Sequence, residues 1–398
     1  MFKLRMKALV ALTLAAALTA CAGGGAAPAA PAAPAAPAEP ATPAATTWSE
    51  EHIDDYRSYE EIVALAMQEG RVVMYSNSSR TAAIGAAFME RYPGIEVEVF
   101  DISTIELVER FAREYEAGIR NADLLHLSDS DGTMWVEFAQ RGMVHIYRPY
   151  DIVPYIDPDL MLTAMPLFFE FDAWFYNTDY FDSPPITSWW DLTRPEWNGN
   201  ILMRQPLDHL GTLGQLTTIL QNTDEMAADY ERVFGSPIQL SPNAPTAAHE
   251  FIIRLLDNDP VFLGSSGEIV RSVGQTVDTP VIGMGASAGL RRREEEDLPL
   301  NIITHLTPTL GSPSVSGLYI TDEANSPNAA KLLIRFMTDE SGEGFAPFNT
   351  LGGWPPRADI PMHEGNVPIS ELNFWPHDAE FVYYNVFTIV DFITMQLN

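Results

Sequence analysis

Between Ser58 and Gln140 the chain alternates helical and extended periodicity, and this pattern restricts the fold more than any other feature. Ser58-Tyr59-Glu60-Glu61 fits a capping box, Ile62, Val63, Leu65 and Ala66 supply the apolar positions behind it, and Gly70 closes the helix. Arg71 to Tyr75 reads as a short apolar strand and Ser76 to Arg80 as a polar loop. Thr81 to Arg91 reads as a helix stopped by Tyr92-Pro93-Gly94. Ile95 to Phe100 puts Ile95, Val97 and Val99 on one face of a strand. Thr104 to Ala117 is an amphipathic helix with Leu107, Phe111 and Tyr115 inward and the pairs Glu106–Arg110 and Glu109–Arg113 at i,i+4. Asp123 to Leu127 is a third strand and Gly132 to Gln140 a further helix. Strands separated by helices imply a parallel α/β sheet that offers ligands the carboxyl ends of its strands.

The later chain is similar in kind. Phe168 to Tyr176 is an aromatic strand, and Val281 to Met284 is another. Thr212 to Leu220, Ala247 to Leu256 and Ser266 to Gly274 read as helices, and Asn325-Ser326-Pro327 opens one over Asn328 to Met337.

The first 47 residues follow different rules. Lys3, Arg5 and Lys7 precede an apolar run from Ala8 to Leu18, too short to span a bilayer and suited to a secretory signal. It ends in Leu18-Thr19-Ala20-Cys21, which resembles a bacterial lipobox. That resemblance implies a signal over 1–21, lipidation at Cys21, and export to the periplasmic or extracellular face with the membrane held through the lipid alone. In the 22–47 linker, Pro28, Pro31, Pro34, Pro37, Pro40 and Pro43 recur every third residue among alanines, a composition that favours polyproline II over a packed core. At about 3.1 Å per residue that tract reaches roughly 50 Å, enough to hold a domain off a membrane.

The formal charge of −31 excludes a basic nucleic-acid footprint or a basic membrane face. Residues 1–47 hold three basic side chains and one acid, so the other 351 carry 20 basic against 53 acidic, a net of −33 with Lys331 the only lysine. One cysteine excludes a disulfide framework and a cysteine-based zinc cluster. The eight histidines (His52, His126, His145, His209, His249, His305, His363 and His377) form no i,i+4 pair, and no phosphate-binding or dinucleotide fingerprint occurs.

In their order and spacing, several stretches resemble the bacterial extracellular solute-binding proteins of ABC importers. They are Glu69-Gly-Arg-Val-Val-Met-Tyr-Ser76, Phe88-Met-Glu-Arg-Tyr-Pro-Gly94, Ala122-Asp-Leu-Leu, Trp174-Phe-Tyr-Asn177, Ser188-Trp-Trp-Asp-Leu192 and Trp197-Asn-Gly-Asn-Ile201. Asn325-Ser-Pro-Asn-Ala-Ala-Lys-Leu332 and Trp354-Pro-Pro-Arg357 complete the series, which spans roughly 58–360. The resemblance is to the branch of ferric-iron, thiamine, phosphonate and sugar-phosphate binders. It implies a two-lobed type II periplasmic-binding-protein fold with a hinge and an interlobe cleft. Lobe one is then expected at 48–152 plus 286–345, and lobe two at 153–285 plus 346–398. It also implies a small-molecule ligand, an ABC-transporter permease as partner, no cofactor and a monomer.

Ser76-Asn77-Ser78-Ser79-Arg80 lies after a strand and before a helix, where free backbone N–H groups and the helix dipole favour an anion and Arg80 adds a bidentate fork. Ser128-Asp129 after the third strand, Gly211-Thr212 and Ser265-Ser266 occupy equivalent edges, although such residues also cap helices ordinarily. Ser287, in the Gly285-Ala-Ser-Ala-Gly289 stretch that follows a strand, and Trp354, in a Gly-Gly-Trp-Pro-Pro loop, complete the candidate site. Ferric binders of this branch carry adjacent tyrosines where this chain reads Gly285-Ala-Ser-Ala-Gly289, and Tyr383-Tyr384 stands elsewhere in a terminal apolar segment. An organic or phosphorylated anion is therefore expected over ferric iron.

Gly285-Ala-Ser-Ala-Gly289 also matches the nucleophile elbow of serine hydrolases, with Asp297 and His305 following in triad order. The next segment, Arg291-Arg-Arg-Glu-Glu-Glu-Asp297, is a solvated charge run rather than a nucleophile helix, so no enzyme is expected. A lipid-anchored receptor feeding a sensor would share the cleft, whereas a surface adhesion protein would have no small-molecule ligand.

Overall fold

The structure, a computed structural model, describes residues 47–397 except 54 and 55; the signal segment, Cys21 and most of the Ala/Pro-rich stretch lie outside the described residues. Helices α1 (Trp48–His52) and α2 (Tyr59–Glu69) both start at capping boxes, Thr47 with Glu50 and Ser58 with Glu61. Gly70 ends α2 at φ 68°, a left-handed position where a side chain is strained. Then come β1 (Arg71–Ser76), α3 (Thr81–Arg91), β2 (Glu96–Asp101), α4 (Thr104–Glu116) and β3 (Leu124–Ser128), close to their expected ranges. β1 runs parallel to β2 on one side and β3 on the other.

Two local details differ from expectation. Arg110 turns to Glu114 at 3.0 Å rather than to Glu106, because there its guanidinium also lies over the rings of Tyr75 and Phe100. The helix expected over Gly132–Gln140 is a π-helical turn, Met134–Ala139. Its leading N–H groups, those of Met134 and Trp135, donate to the two oxygens of Asp129, each at 2.9 Å.

The remaining elements are β4 (Val144–His145), β5 (Met165–Asn177), β6 (Ile201–Met203), α5 (Leu210–Gln221), α6 (Thr223–Phe234), α7 (Ala247–Asp257), β7 (Val261–Phe262), α8 (Ser266–Gln275), β8 (Ile282–Ala286), α9 (Arg292–Glu295), β9 (Leu300–Ile302), β10 (Pro313–Thr321), α10 (Pro327–Met337) and α11 (Ala379–Leu397). Strand order is β2-β1-β3-β10-β5-β8-β6-β7, with β4 beside β10 and β9 beside β5. β5 joins the two halves. Its residues Met165 to Phe171 pair antiparallel with β10, while Asp172 to Tyr176 pair antiparallel with β8.

The first half is a sheet buried on both faces. Val72 and Met74 of β1 enter one core with Ile62 and Ala66 of α2, Ile84 and Phe88 of α3, and Leu332, Leu333 and Phe336 of α10. Val73 and Tyr75 point the other way, into a core with Leu107 and Phe111 of α4 and Met134 and Phe138. This period-two division is what a buried parallel strand requires. In the second half, Trp174, Trp189, Trp190, Phe251, Ile282 and the inner face of α11 form one large core. Lys331 is fully buried on α10, above the Tyr147 ring at 5.3 Å, so the body's acidic surface has no lysine on it. The charge run forms α9 and its flanks, with Arg292–Glu296 at 3.3 Å and Arg271–Glu296 at 2.7 Å.

His126 ties the first half together. It is fully buried on β3, with Nδ1 2.9 Å from Ser76 Oγ on β1 and Nε2 2.8 Å from Ser316 Oγ on β10. Burial, and secondarily the nearby Arg80 charge, pushes its pKa down to about 3. The folded state thus keeps a neutral ring that the unfolded chain protonates near 6.5. The ring's contribution is complete above that pH and drains away as pH falls toward 3. His126→Gln should cost roughly 1–3 kcal/mol at neutral pH by orphaning buried hydroxyls. The gap in Tm between wild type and variant should narrow as pH falls from 7 to 4; a pH-independent gap would refute this account.

Candidate functional site

A cavity of about 870 Å³ lies where the strand ends of the first half meet the helix starts of the second. From the first half it takes Asn77 after β1, Ser103 to Ile105 at the start of α4, and Ser128 to Ser130 after β3. From the second half it takes Arg204, Asp208 to Thr212 around the N-terminus of α5, Gln215, and Ser266 at the start of α8. Glu170 and Asp172 reach in from β5, at the junction where its partner changes from β10 to β8. A more open hollow of about 650 Å³ near Tyr180 and Trp197 contains Asp191 and Arg194 already paired at 2.9 Å, and it meets no strand-to-helix edge of the sheet's first half.

Of the residues chosen from sequence, Asn77, Ser128, Asp129, Gly211, Thr212 and Ser266 line the cavity, and the others do not. Ser76 is turned toward His126, and its Oγ also accepts the Ser78 N–H at 3.1 Å. Ser79 is exposed. The Arg80 guanidinium lies over the rings of Phe168 and Phe348, at 5.0 and 4.2 Å, and burial pulls its pKa down to about 10. Ser265 is the N-cap of α8, its Oγ accepting the Glu268 N–H at 3.1 Å. Ser287 is fully buried; its Oγ donates to the Gly352 carbonyl at 2.7 Å and accepts the Phe171 N–H at 3.2 Å. Both bonds tie its hydroxyl to backbone, and among the described residues no histidine reaches it, so the triad geometry is absent there. Trp354 is packed against Phe169 and Phe171, its Nε1 donating to the Val367 carbonyl at 2.8 Å.

Sequence reasoning passed over Glu170, Asp172, Arg204, His209, Gln215, Trp375 and His377, all of which line the cavity. One signal was available: Phe169-Glu170-Phe171-Asp172 puts two acids at alternate positions of an aromatic strand, where charge is costly without a purpose. Burial pushes the Glu170 carboxyl up to about 7 against the opposing pull of Arg80. Burial likewise raises Asp172 to about 6, against the pull of Arg204. Asp129 rises to about 7 through burial and the neighbouring Asp131, despite the N–H groups it accepts. His209 falls to about 4, through burial first and Arg204 second, so its ring is neutral. Its Nδ1 accepts the Thr212 N–H at 3.1 Å and caps α5.

Chemically, the cavity has one cationic wall and several acceptors. Arg204 forms no ion pair among the described residues and stands beside the N-terminus of α5, where Gly211 and Thr212 line the wall. A guanidinium and a helix start favour an anionic group. Asp129, Glu170 and Asp172 accept from hydroxyl or amino groups, and Phe169, Phe374 and Trp375 supply apolar faces. The donor set fits a metal ion poorly: among the described residues no three His, Cys, Asp or Glu side chains converge for one. Tyr319 is the one phenol on the described lining; the Tyr383 hydroxyl donates to Glu137, and Tyr384 points outward from α11.

Residues 83–367 match the family described as bacterial extracellular solute-binding protein. No curated protein sequence matches the chain. Its fold is shared with iron-bound HitA from Pseudomonas aeruginosa, at TM-score 0.64 and 15% identity over 82% of this chain and 99% of that one. It is shared equally with the apo ferric ion-binding protein A of Pasteurella haemolytica, at TM-score 0.63 and 15% identity over 82% and 98% of the two chains. AfuA from Actinobacillus pleuropneumoniae, solved with exogenous fructose-6-phosphate bound, aligns at TM-score 0.61 and 15% identity over 82% and 98%. At such identities the likeness establishes the architecture: an α/β, two-lobed periplasmic-binding-protein fold. Among the described residues no helix is long and apolar enough to cross a membrane.

Proposed function

Because the chain belongs to the bacterial extracellular solute-binding proteins, we propose that it captures a small organic anion, most simply a phosphate ester or phosphonate, in this cavity. It then delivers the solute to the permease of an ABC importer. The observation that carries the ligand class is Arg204, without an ion-pair partner among the described residues, beside the N-terminus of α5, with Gly211 and Thr212 on the same wall. Several acceptors nearby suit a solute that also carries hydroxyl groups. The long-range field of a −33 body repels such an anion, so local donors must supply the affinity. Lipid anchoring at Cys21, a spacer over 22–47 and a monomeric body belong to the same reading.

The expected lobe division shifts in this reading, because Ile156, Met165, Phe168, Phe348 and Ile360 pack in the first core while Leu306 and Leu310 enter the second. β9 pairs with the distal part of β5, and Leu300 and Ile302 enter the second core, so this reading assigns that stretch to lobe two. Ferric capture is the less favoured ligand because the phenol pair is not on the cavity wall. Isothermal titration of the full chain should give binding of fructose 6-phosphate or a simple phosphonate and none of ferric citrate. Tight ferric binding with no phosphorylated ligand would overturn the ligand class. No heat from any of these solutes would count against solute capture of this kind.

A further inference from the structure

The cavity wall includes residues from beyond the family match, which ends at 367. Trp375, Pro376 and His377 come from the segment that leads into α11 and lie on the cavity. This segment is fastened on both sides. Toward the second half, Trp375 Nε1 donates to Glu225 at 2.9 Å and Gln221 Nε2 to Asp378 at 2.9 Å. Toward the first half, Gln140 Nε2 donates to Glu380 at 2.6 Å and the Tyr383 hydroxyl to Glu137. His377 is thereby held in place rather than left on a free tail.

Among the described residues, two polar groups of this wall are buried without a hydrogen-bond partner: both ring nitrogens of His377, and Nε2 of Gln215. Gln215 is oriented by its Oε1, which accepts the Ser312 N–H at 3.2 Å, so its amide nitrogen is left for another group. The Asp129 backbone lies near His377 but outside hydrogen-bonding geometry. Burial holds the His377 pKa below its ordinary value, so the ring is neutral and offers one donor and one acceptor. Buried polar groups left unpaired cost free energy that a ligand with matching groups recovers and an apolar ligand does not. A hydroxyl both donates to and accepts from an imidazole, and accepts from a carboxamide.

We propose that the segment after residue 367 is a selectivity element of the cleft, in which His377, together with Gln215, reads a hydroxyl-bearing part of the solute. The inference rests on the cavity being the solute site, and it adds the groups that choose among anions.

The test compares fructose 6-phosphate with methylphosphonate, an anion without hydroxyl groups on carbon, by titration calorimetry on the full chain. Wild type should prefer the sugar phosphate by roughly tenfold or more, and His377→Leu and Gln215→Leu should each remove roughly tenfold of that preference. Methylphosphonate affinity should fall by much less than sugar-phosphate affinity in both variants, and His377→Asn, which keeps a donor and an acceptor, should restore part of the preference. An unchanged ratio, or an equal loss for both ligands, overturns the selectivity role while leaving the solute site standing. If the ratio collapses as expected but Arg204→Ala does not weaken methylphosphonate, the selectivity role stands and the anion wall is wrong. If wild type binds neither, both fall. Where His377→Leu does not fold, Gln215→Leu carries the same comparison.

Discussion

Arg204→Ala should weaken capture of a phosphorylated solute by roughly ten- to a hundredfold. A hydrogen bond to a charged group contributes about 1.5–3 kcal/mol, and each 1.4 kcal/mol is tenfold in affinity. No other arginine or lysine lines the cavity among the described residues, and burial keeps His209 and His377 neutral. Arg80→Ala should leave the affinity within about twofold, since Arg80 sits between phenylalanine rings away from the lining. Calorimetric titration of both variants with one ligand decides the matter, and the reverse order of effects would return the anion site to Arg80.

The same wall predicts a pH dependence with a definite sign. Asp172 has its carboxyl raised to about 6 by burial, with Arg204 pulling the other way. Above that pH the carboxylate is ionised, competes for Arg204 and repels an incoming anion. Below it the acid is neutral and the competition is gone. Wild-type affinity relative to Asp172→Asn should therefore improve as pH falls from 8 to 6 and level off below. Because ligand titration is common to both proteins, the ratio isolates Asp172; a flat ratio would remove it from the anion wall.

Gly214→Ala should also have a large effect, through closure rather than ligand contact. A β-carbon built at Gly214 on α5 would fall inside van der Waals contact of the Ser130 carbonyl, on the loop after β3. Both residues lie on the cavity, one from each half of the sheet. A backbone carbonyl cannot rotate aside as a side chain does, so the overlap is relieved by parting the two halves. Overpacking of this kind costs about 1–3 kcal/mol, which lowers ligand affinity by up to about a hundredfold. Alanine is the better helix former by about 1 kcal/mol, so once the halves part the helix itself loses nothing. The expected result is weaker binding without loss of helix content, and small-angle scattering that stays wider than wild type when ligand is added. Unimpaired binding would show that the Ser130–Gly214 approach is not part of the bound state.

The legible parts of the fold were those encoded over a few neighbouring residues. The capping box at Ser58, the stop at Gly70 and the alternation of Val72 to Tyr75 each state their structure locally, because a helix cap or a strand face is decided within one turn or one pleat. β10 was harder. It begins at a proline, carries Gly317 inside, and owes its strand to β3 and β5 on either side. The C-terminal helix is legible locally as an apolar helical segment, but its role in the second core depends on α5 and α7, far away in the chain.

The site divides in the same way. The alternation of strands and helices placed polar residues at strand-to-helix and loop-to-helix edges, the family resemblance implied that these edges share one cleft, and Asn77, Ser128, Asp129, Gly211, Thr212 and Ser266 line the cavity. The sequence could not decide between adjacent residues with the same chemistry. Ser265 caps α8 while Ser266 faces the cavity, and nothing local separates them. Nor could it bring Arg204, Gln215 and His377 to one wall, or turn Arg80 into an aromatic slot. Those placements follow from burying apolar surface between segments far apart in sequence, and only the packed tertiary structure settles which polar groups are left facing the space between them.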